Sequence, residues 1–66
     1  MKFKAGDFIV WGSGIETYYE KILEVNEVKN YYRFVEITTG YIGRWKLDWI
    51  DKHARLMSDE EKVELL

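Results

Sequence analysis

The chain has 66 residues and a formal net charge of −2, with 47% hydrophobic and 17% aromatic residues and neither Cys nor Pro. This length supports one small domain that buries only about 60% of its unfolded surface, which excludes a TIM barrel, a dinucleotide-binding α/β fold or a second domain. Without Cys no disulfide or thiolate zinc site can hold the fold together, and ten Lys and Arg against twelve Asp and Glu exclude a polyanion binder that works by bulk attraction.

The N-terminal segment, Met1 to Asp7, lacks the apolar stretch of about 7–15 residues that a signal peptide needs. No apolar run elsewhere approaches the roughly 18 residues of a membrane span. We therefore expect a cytoplasmic protein with no membrane partner.

Three segments rich in β-branched and aromatic residues predict strands over residues 8–11, 17–25 and 31–39. Both faces of the first segment are apolar, because Ile9 and Trp11 alternate with Phe8 and Val10. One of these faces must therefore be covered by something other than the core of the sheet. Turn signals separate the three segments at Gly12-Ser13-Gly14 and at Asn26 to Asn30.

Two features of the second and third segments concern which side chains face inward. Ile22 and Leu23 are adjacent apolar residues, which predicts a β-bulge near Glu24. In the third segment both alternating sets of residues are regular, and we expect the set with Val35 and Ile37 to point into the core.

The pattern changes after Gly40. Residues 41–45 are expected to complete a hairpin through Thr38-Thr39-Gly40, residues 47–51 to form one helical turn, and residues 54–57 to form a last brief strand. Short strands at this spacing in so small a chain predict a meander that curls into a barrel, because closure removes the exposed edges of the sheet.

A C-terminal helix is predicted by Ser58 and Glu61, which match the S-x-x-E capping box. A helix this short persists in water only if Val63, Leu65 or Leu66 docks on the rest of the domain, where the helix can cover the second apolar face of the first strand. The predicted fold is therefore mostly β, with a five-stranded barrel over residues 1–57 and a short helix over residues 58–66 packed on it.

The segment Lys4-Ala5-Gly6-Asp7-Phe8-Ile9-Val10-Trp11 resembles the K-x-G-D-x-V-x-W opening of small SH3-like barrels of the KOW and Tudor type. Tyr19-x-x-Ile22-x-x-Val25 and Trp49-Ile50 with Ala54-x-Leu56 are similar to later parts of that barrel, so the resemblance covers most of residues 3–57. It implies that Ile9 and Trp11 point into the barrel. Glu20 stands where the KOW pattern usually has Gly.

In size and layout the chain is also similar to small accessory proteins of bacteriophages and prophages. That similarity implies a role in modulating a host or phage complex.

Residues suited to catalysis or metal binding are few. The only His, His53, lies near Asp48 and Asp51, which can supply a metal site only if the local backbone is extended; the simpler interpretation is a solvated imidazole beside two surface acids. Ser13 lies in a Gly-Ser-Gly turn without the G-x-S-x-G context of a nucleophile. Because a barrel this small encloses only its own side chains, we expect no enzyme activity, no cofactor and no metal.

The aromatic residues favour binding. Three Trp, five Tyr and three Phe exceed what one small core readily holds, and the adjacent pairs Tyr18-Tyr19 and Tyr31-Tyr32 must each send one ring outward in a regular strand. The alternative is that Trp45 and Trp49 belong to the core. The predicted partner-binding residues are Tyr18, Tyr31, Tyr41, Arg44, Trp45 and Trp49.

These residues predict a non-catalytic module that binds a protein, with aromatic anchors and Arg44 as an orienting donor. The alternative is that the same face stacks on single-stranded nucleic acid, with the backbone held by Arg44, Lys46, Lys52 and Arg55. The barrel carries no excess of positive charge, which favours the protein partner. We expect a monomer or a weak homodimer.

Overall fold

The computed structural model describes all 66 residues. In chain order the elements are β1 (Phe8–Ser13), β2 (Glu16–Asn26), β3 (Tyr31–Glu36), β4 (Ile42–Lys46), α1 (Leu47–His53), β5 (Arg55–Leu56) and α2 (Asp59–Leu65). The five strands form one antiparallel sheet in the order β4-β3-β2-β1-β5. The mostly β prediction is confirmed, and every predicted strand and helix is present. The third strand ends at Glu36 rather than at residue 39, and α1 extends two residues beyond the predicted turn. Neither helix is long and apolar enough to cross a membrane.

The two edge strands, β4 and β5, are not hydrogen-bonded to each other. The predicted closure of the sheet into a barrel is therefore not confirmed. The physical reason lies in the connection between them: α1 follows β4 directly, and β5 contributes only two residues, both paired with β1.

The turns depend on backbone conformations that few residues adopt. The β1–β2 hairpin closes at Gly14-Ile15, because Ser13 still pairs with Glu16, so the turn lies one residue later than predicted. Gly14 has a φ of +62°, and Gly12, at +88°, has no room for a Cβ beside the Glu16 carbonyl oxygen. Asn30, at +60°, ends the β2–β3 turn.

The register of β2 on β3 decides which side of β3 is buried. The pairing shifts between Ile22 and Glu24, which confirms the predicted bulge. The register places Phe34 opposite Ile22 and Tyr32 opposite Val25, so the even-numbered residues of β3 meet the apolar side of β2.

We call the side of the sheet that carries Ile9, Ile22 and Tyr32 the inner face, and the opposite side the outer face. The prediction that Val35 and Ile37 point into the core was wrong: both are half-buried, whereas Tyr32 and Phe34 are buried. The inward direction predicted for Ile9 and Trp11 is confirmed, since Ile9 is buried in the core and Trp11 packs against it. The core cluster consists of Phe3, Ile9, Ile22, Tyr32, Leu47, Ile50 and Ala54.

The C-terminal helix α2 lies on the outer side of β1. Its capping box forms as predicted, with Ser58 Oγ accepting from the Glu61 N–H and Glu61 Oε1 accepting from the Ser58 N–H. An ion pair between Arg55 and Glu61, 2.8 Å apart, and a Lys62 ammonium 5.9 Å from the Phe8 ring connect α2 to the sheet. Of the three predicted docking residues only Leu65 is half-buried, and Val63 and Leu66 are exposed. Leu65 is therefore the one predicted docking residue that packs on the domain, and the exposed ion pair adds a contact that contributes little.

The buried hydroxyl of Tyr32 connects the N-terminal segment to α1. It accepts hydrogen bonds from the backbone N–H groups of Lys2 (3.2 Å) and Phe3 (3.1 Å) and donates one to Asp51 (2.5 Å). Burial, together with the hydrogen bond to the Asp51 carboxylate, raises the pKa of Tyr32. A single side chain of β3 thus holds both segments on the inner face.

Replacing Tyr32 with Phe removes the acceptor of the Phe3 N–H and the donor to Asp51. The Lys2 N–H loses one of its two acceptors and keeps the other, Asp51 Oδ1 at 3.1 Å. We expect Tyr32→Phe to lower the free energy of unfolding by about 1–3 kcal/mol, because polar groups are left without partners in the interior. Urea denaturation followed by Trp fluorescence measures the change. Tyr31→Phe is the matched control, because the Tyr31 hydroxyl accepts only one long hydrogen bond, 3.4 Å from Asn26 Nδ2. Its free energy of unfolding should therefore fall by no more than about 0.5 kcal/mol. Equal losses for the two variants would contradict the assignment.

Candidate functional site: an aromatic cleft with two glutamates

A cleft of about 330 Å³ opens on the inner face of the sheet, beside the core. Strand alternation builds it, because the core takes Ile9, Ile22 and Tyr32, and the next inner positions along the same strands line the cleft. We call this site the aromatic cleft. Its lining residues are Trp11, Tyr18, Glu20, Phe34, Glu36, Thr39, Tyr41 and Trp45.

Four strands place the rings of the aromatic cleft against one another. Trp11 of β1 stacks on Tyr18 of β2 with ring centroids 4.5 Å apart, and meets Trp45 of β4 edge-on at 5.1 Å. Phe34 of β3 packs 6.2 Å from both Trp45 and Tyr41. Edge-to-face and offset-stacked contacts at these distances are favourable, so the walls support one another.

The helix α1 extends this ring cluster at one side. Trp49 lies 5.0 Å from Trp11 and stacks on Trp45 at 5.4 Å. His53 stacks on Trp49 at 4.2 Å and has Nδ1 2.7 Å from the Trp49 carbonyl oxygen. The imidazole therefore packs as part of the aromatic cluster.

Gly43 shapes the wall that Tyr41 forms. It lies on the inner face opposite Phe34, and a Cβ there would come 2.8 Å from the Tyr41 ring and 3.2 Å from the Phe34 ring. The missing side chain at Gly43 therefore lets Tyr41 fold back over β4 and close one end of the cleft.

Glu20 is the central polar group of the aromatic cleft. Its side chain is only 2% exposed, and it lies directly opposite Glu36 on the neighbouring strand. Burial raises the pKa of Glu20, nearby indole N–H groups of Trp11 and Trp45 lower it in part, and the charge of Glu36 raises it further. Neither Glu20 Oε1 nor the two indole nitrogens has a partner within hydrogen-bonding geometry. The cleft therefore contains an unpaired buried acceptor.

Glu36 differs from Glu20 in having its own donors. It is 9% exposed and accepts hydrogen bonds from the Thr38 hydroxyl and, at 3.0 Å, from the Thr38 N–H. Burial alone would raise the pKa of Glu36, but these hydrogen bonds hold it below its usual value. Of the two carboxyl groups, Glu36 is therefore the one whose ionised form its hydrogen bonds favour, and it contributes negative charge to the cleft.

The structure divides the six predicted partner-binding residues between the two faces. Tyr18, Tyr41 and Trp45 line the aromatic cleft, and Trp49 adjoins it through Trp45. Tyr31 and Arg44 lie on the outer face, where the Arg44 guanidinium stacks 4.6 Å from the Tyr31 ring. The sequence left open whether Trp45 and Trp49 are core residues or surface rings. Trp45 packs against the core, whereas Trp49 is 38% exposed.

The residues that the sequence analysis did not select are the two glutamates, together with Trp11, Phe34 and Gly43. The sequence did contain an indication of Glu20. Tyr18, Glu20 and Ile22 lie on the same face of β2, so Glu20 is a charged residue between two mostly apolar ones. Glu36 gave no such signal, because it became an inner residue only through the register of β3 on β2.

Two of the three residues weighed for metal binding have other contacts. Asp51 accepts from Tyr32, and His53 packs on Trp49. No group of three or more His, Asp or Glu side chains converges in the way that a metal ion requires.

No protein family model matches this chain, and no curated protein or solved structure matches it. The fold and the cleft define its class in structural terms, as a small antiparallel β-domain with an aromatic cleft that holds two buried carboxylates. The resemblances to KOW and Tudor barrels and to phage accessory proteins remain predictions.

The raised pKa of Glu20 makes a prediction about stability. The folded protein binds the Glu20 proton more tightly than the unfolded chain does, so the contribution of Glu20 to stability is highest below its ordinary pKa of 4.5 and falls as pH rises through the folded value. We expect Glu20→Gln to be more stable than the parent at about pH 8, by about 1.4 kcal/mol for each unit of pKa difference, and equally stable at about pH 4.

Urea denaturation at both pH values measures this difference, and Glu36→Gln is the control of opposite sign. Because the pKa of Glu36 is lowered, its contribution is present above the ordinary value, so Glu36→Gln should be less stable than the parent at about pH 8. A Glu20→Gln variant less stable than the parent at about pH 8 would refute this account of Glu20.

Proposed function

We propose that this protein is a non-catalytic protein-binding module and that the aromatic cleft is its contact surface. The observation that carries the proposal is a group of exposed rings around the cleft: Tyr41 is 65% exposed, and Tyr18 and Trp49 are each 38% exposed. Aromatic side chains around a partly desolvated pocket contribute a large share of binding energy in protein interfaces.

The charge of the cleft supports a protein partner over a nucleic acid at this surface. Glu20 and Glu36 lie in the cleft, and its lining contains no Lys or Arg. A phosphate backbone brought to these rings would meet like charge, and nucleic-acid affinity depends on neutralising phosphates with cations. The rings and the carboxylates together favour a partner with apolar and positive groups.

Wrapping of the sheet as an SH3-like barrel is part of this proposal. Its support is that β1 pairs with both β2 and β5, and that a helical turn, α1, separates β4 from β5. The similarity to phage accessory proteins adds a host or phage complex as the proposed setting.

The outer face supports a second candidate function, binding of single-stranded nucleic acid. Arg33 and Arg44 lie directly opposite each other on β3 and β4, and Lys46 lies opposite Tyr31. None of these cations is in an ion pair, since the only one in the chain joins Arg55 and Glu61. Like charges opposite each other destabilise a sheet, and an anionic ligand would relieve the repulsion while Tyr31 stacked on a base.

Capture of partners from a lysate of the source cells, with and without nuclease, distinguishes the two functions. We expect a partner protein that survives nuclease treatment and whose recovery falls about tenfold or more with Tyr41→Ala, because Tyr41 is a rim anchor. Arg44→Ala is the matched control on the outer face and should leave recovery unchanged. Capture that is lost with nuclease and with Arg44→Ala, but kept with Tyr41→Ala, would replace protein binding with nucleic-acid binding.

A further inference from the structure

We propose that the aromatic cleft receives a basic side chain of the partner protein, an arginine in preference to a lysine, with its cation between Glu20 and Glu36. This inference rests on the proposed function, because it names the chemical group that the partner contributes to the same site. It goes beyond that function in assigning a charge, a geometry and a donor requirement to the ligand.

The Oε1 atom of Glu20 is an unpaired acceptor in the cleft. Glu20 is almost completely buried and lines the cleft. Burial raises its pKa, and the indole N–H groups of Trp11 and Trp45 near its carboxyl group lower it in part. Neither indole is within hydrogen-bonding geometry, so Glu20 Oε1 and both indole nitrogens lack a partner. Buried polar side chains in native structures nearly always have partners, and exceptions occur where a ligand or an ion completes the site. The missing partner of Glu20 must be a donor, since a carboxylate oxygen accepts.

The carboxyl groups of Glu20 and Glu36 also form a pair in the cleft. Glu20 and Glu36 face each other across adjacent strands, an arrangement that destabilises the sheet when both are ionised. A cation held between them converts this repulsion into attraction, and because both glutamates are buried the interaction is screened little.

No cation of this chain fills the cleft. Arg44 stacks on Tyr31, Arg55 pairs with Glu61, and Lys21 lies over Phe8 on the outer face. The lining of the cleft contains no Lys, Arg or His. The positive charge must therefore come from another molecule.

The choice of arginine follows from the shape of the walls. Trp11, Trp45 and Phe34 present flat rings, and a planar guanidinium stacks on such rings while its N–H groups donate in the plane to carboxylates. A lysine ammonium is more strongly hydrated and has no plane to stack. A quaternary ammonium has no N–H donor and would leave Glu20 Oε1 unpaired.

Titration of the full chain with small peptides tests this inference. The probes are acetyl-Gly-Arg-Gly-amide, its lysine and citrulline counterparts, and tetramethylammonium chloride, and the signals are the NMR resonances of the Trp11 and Trp45 indole N–H groups. We expect the arginine peptide to shift both resonances and to bind more tightly than the lysine peptide. Tetramethylammonium should bind more weakly than either peptide, and the citrulline peptide should cause no shift.

Variants separate recognition by Glu20 from a general effect of negative charge. Glu20→Gln should weaken binding of the arginine peptide about tenfold or more, because truncating one side of a buried charge contact carries a large penalty. Glu24→Gln removes an exposed acid from the same strand and should leave binding unchanged. Gly43→Ala, which pushes the Tyr41 ring without touching either carboxylate, should weaken binding as well.

Several outcomes would overturn the inference: no shift with the arginine peptide, equal binding of the citrulline peptide, tighter binding of tetramethylammonium, or an unchanged affinity in Glu20→Gln. Its failure is distinct from failure of the proposed function. Loss of the captured protein in Tyr41→Ala, without arginine-peptide binding, would leave the protein-binding function standing and remove only the arginine. Arginine-peptide binding without any captured protein would support the arginine site and remove the protein-binding function.

Discussion

The hydrogen bonds of the Tyr32 hydroxyl, together with the burial of Leu47 and Ile50 in the core, hold α1 against the sheet, and the ring cluster of the inner face depends on that contact. Asp51 is the anchor on α1, and two residues before it Trp49 lies 5.4 Å from Trp45 and 5.0 Å from Trp11. If α1 moved away, the ring cluster would lose Trp49, and the face of Trp45 that stacks on Trp49 would be uncovered. In a domain this small the same aromatic side chains form part of the core and the walls of the cleft, so stability and the shape of the site are coupled.

Glu20 shows the cost of that coupling. An apolar residue at its position would continue the row from Ile22 to Tyr18 and remove a buried unpaired oxygen, yet the chain keeps a carboxyl group there. The neighbouring indoles moderate the cost without cancelling it, since the pKa of Glu20 remains raised. A group that weakens the free domain and is completed by a ligand is typical of a binding site, where stability is exchanged for function.

The local features of this fold were predictable from the sequence, and the non-local ones were not. Gly14, Asn30 and the Ser58–Glu61 capping box act within a few residues, and each appears in the structure close to its predicted place. The burial of Tyr32 and Phe34 in place of Val35 and Ile37 depends on how β3 pairs with β2 after the bulge, which no pattern within β3 reveals. The meeting of Glu20 with Glu36 is a consequence of the same register, and so the candidate site could be predicted in its aromatic residues but not in its charges.

Strand alternation also explains how a chain with a net charge of only −2 places different charges on the two sides of one sheet. The cleft holds Glu20 and Glu36, whereas the outer face carries Arg33 and Arg44 together with Glu24, which lies opposite Arg33. Trp45 and Arg44 are adjacent in β4, so one lines the acidic cleft and the other joins Arg33 on the outer face. Under the proposed function, a basic partner at the cleft would leave these arginines in water on the far side of the sheet, where they need not be desolvated. A phosphate chain would be attracted by the arginines and repelled by the carboxylates of the cleft. Under the proposed function, this arrangement of charge across one sheet would therefore discriminate between the two classes of partner more strongly than the composition of the chain does.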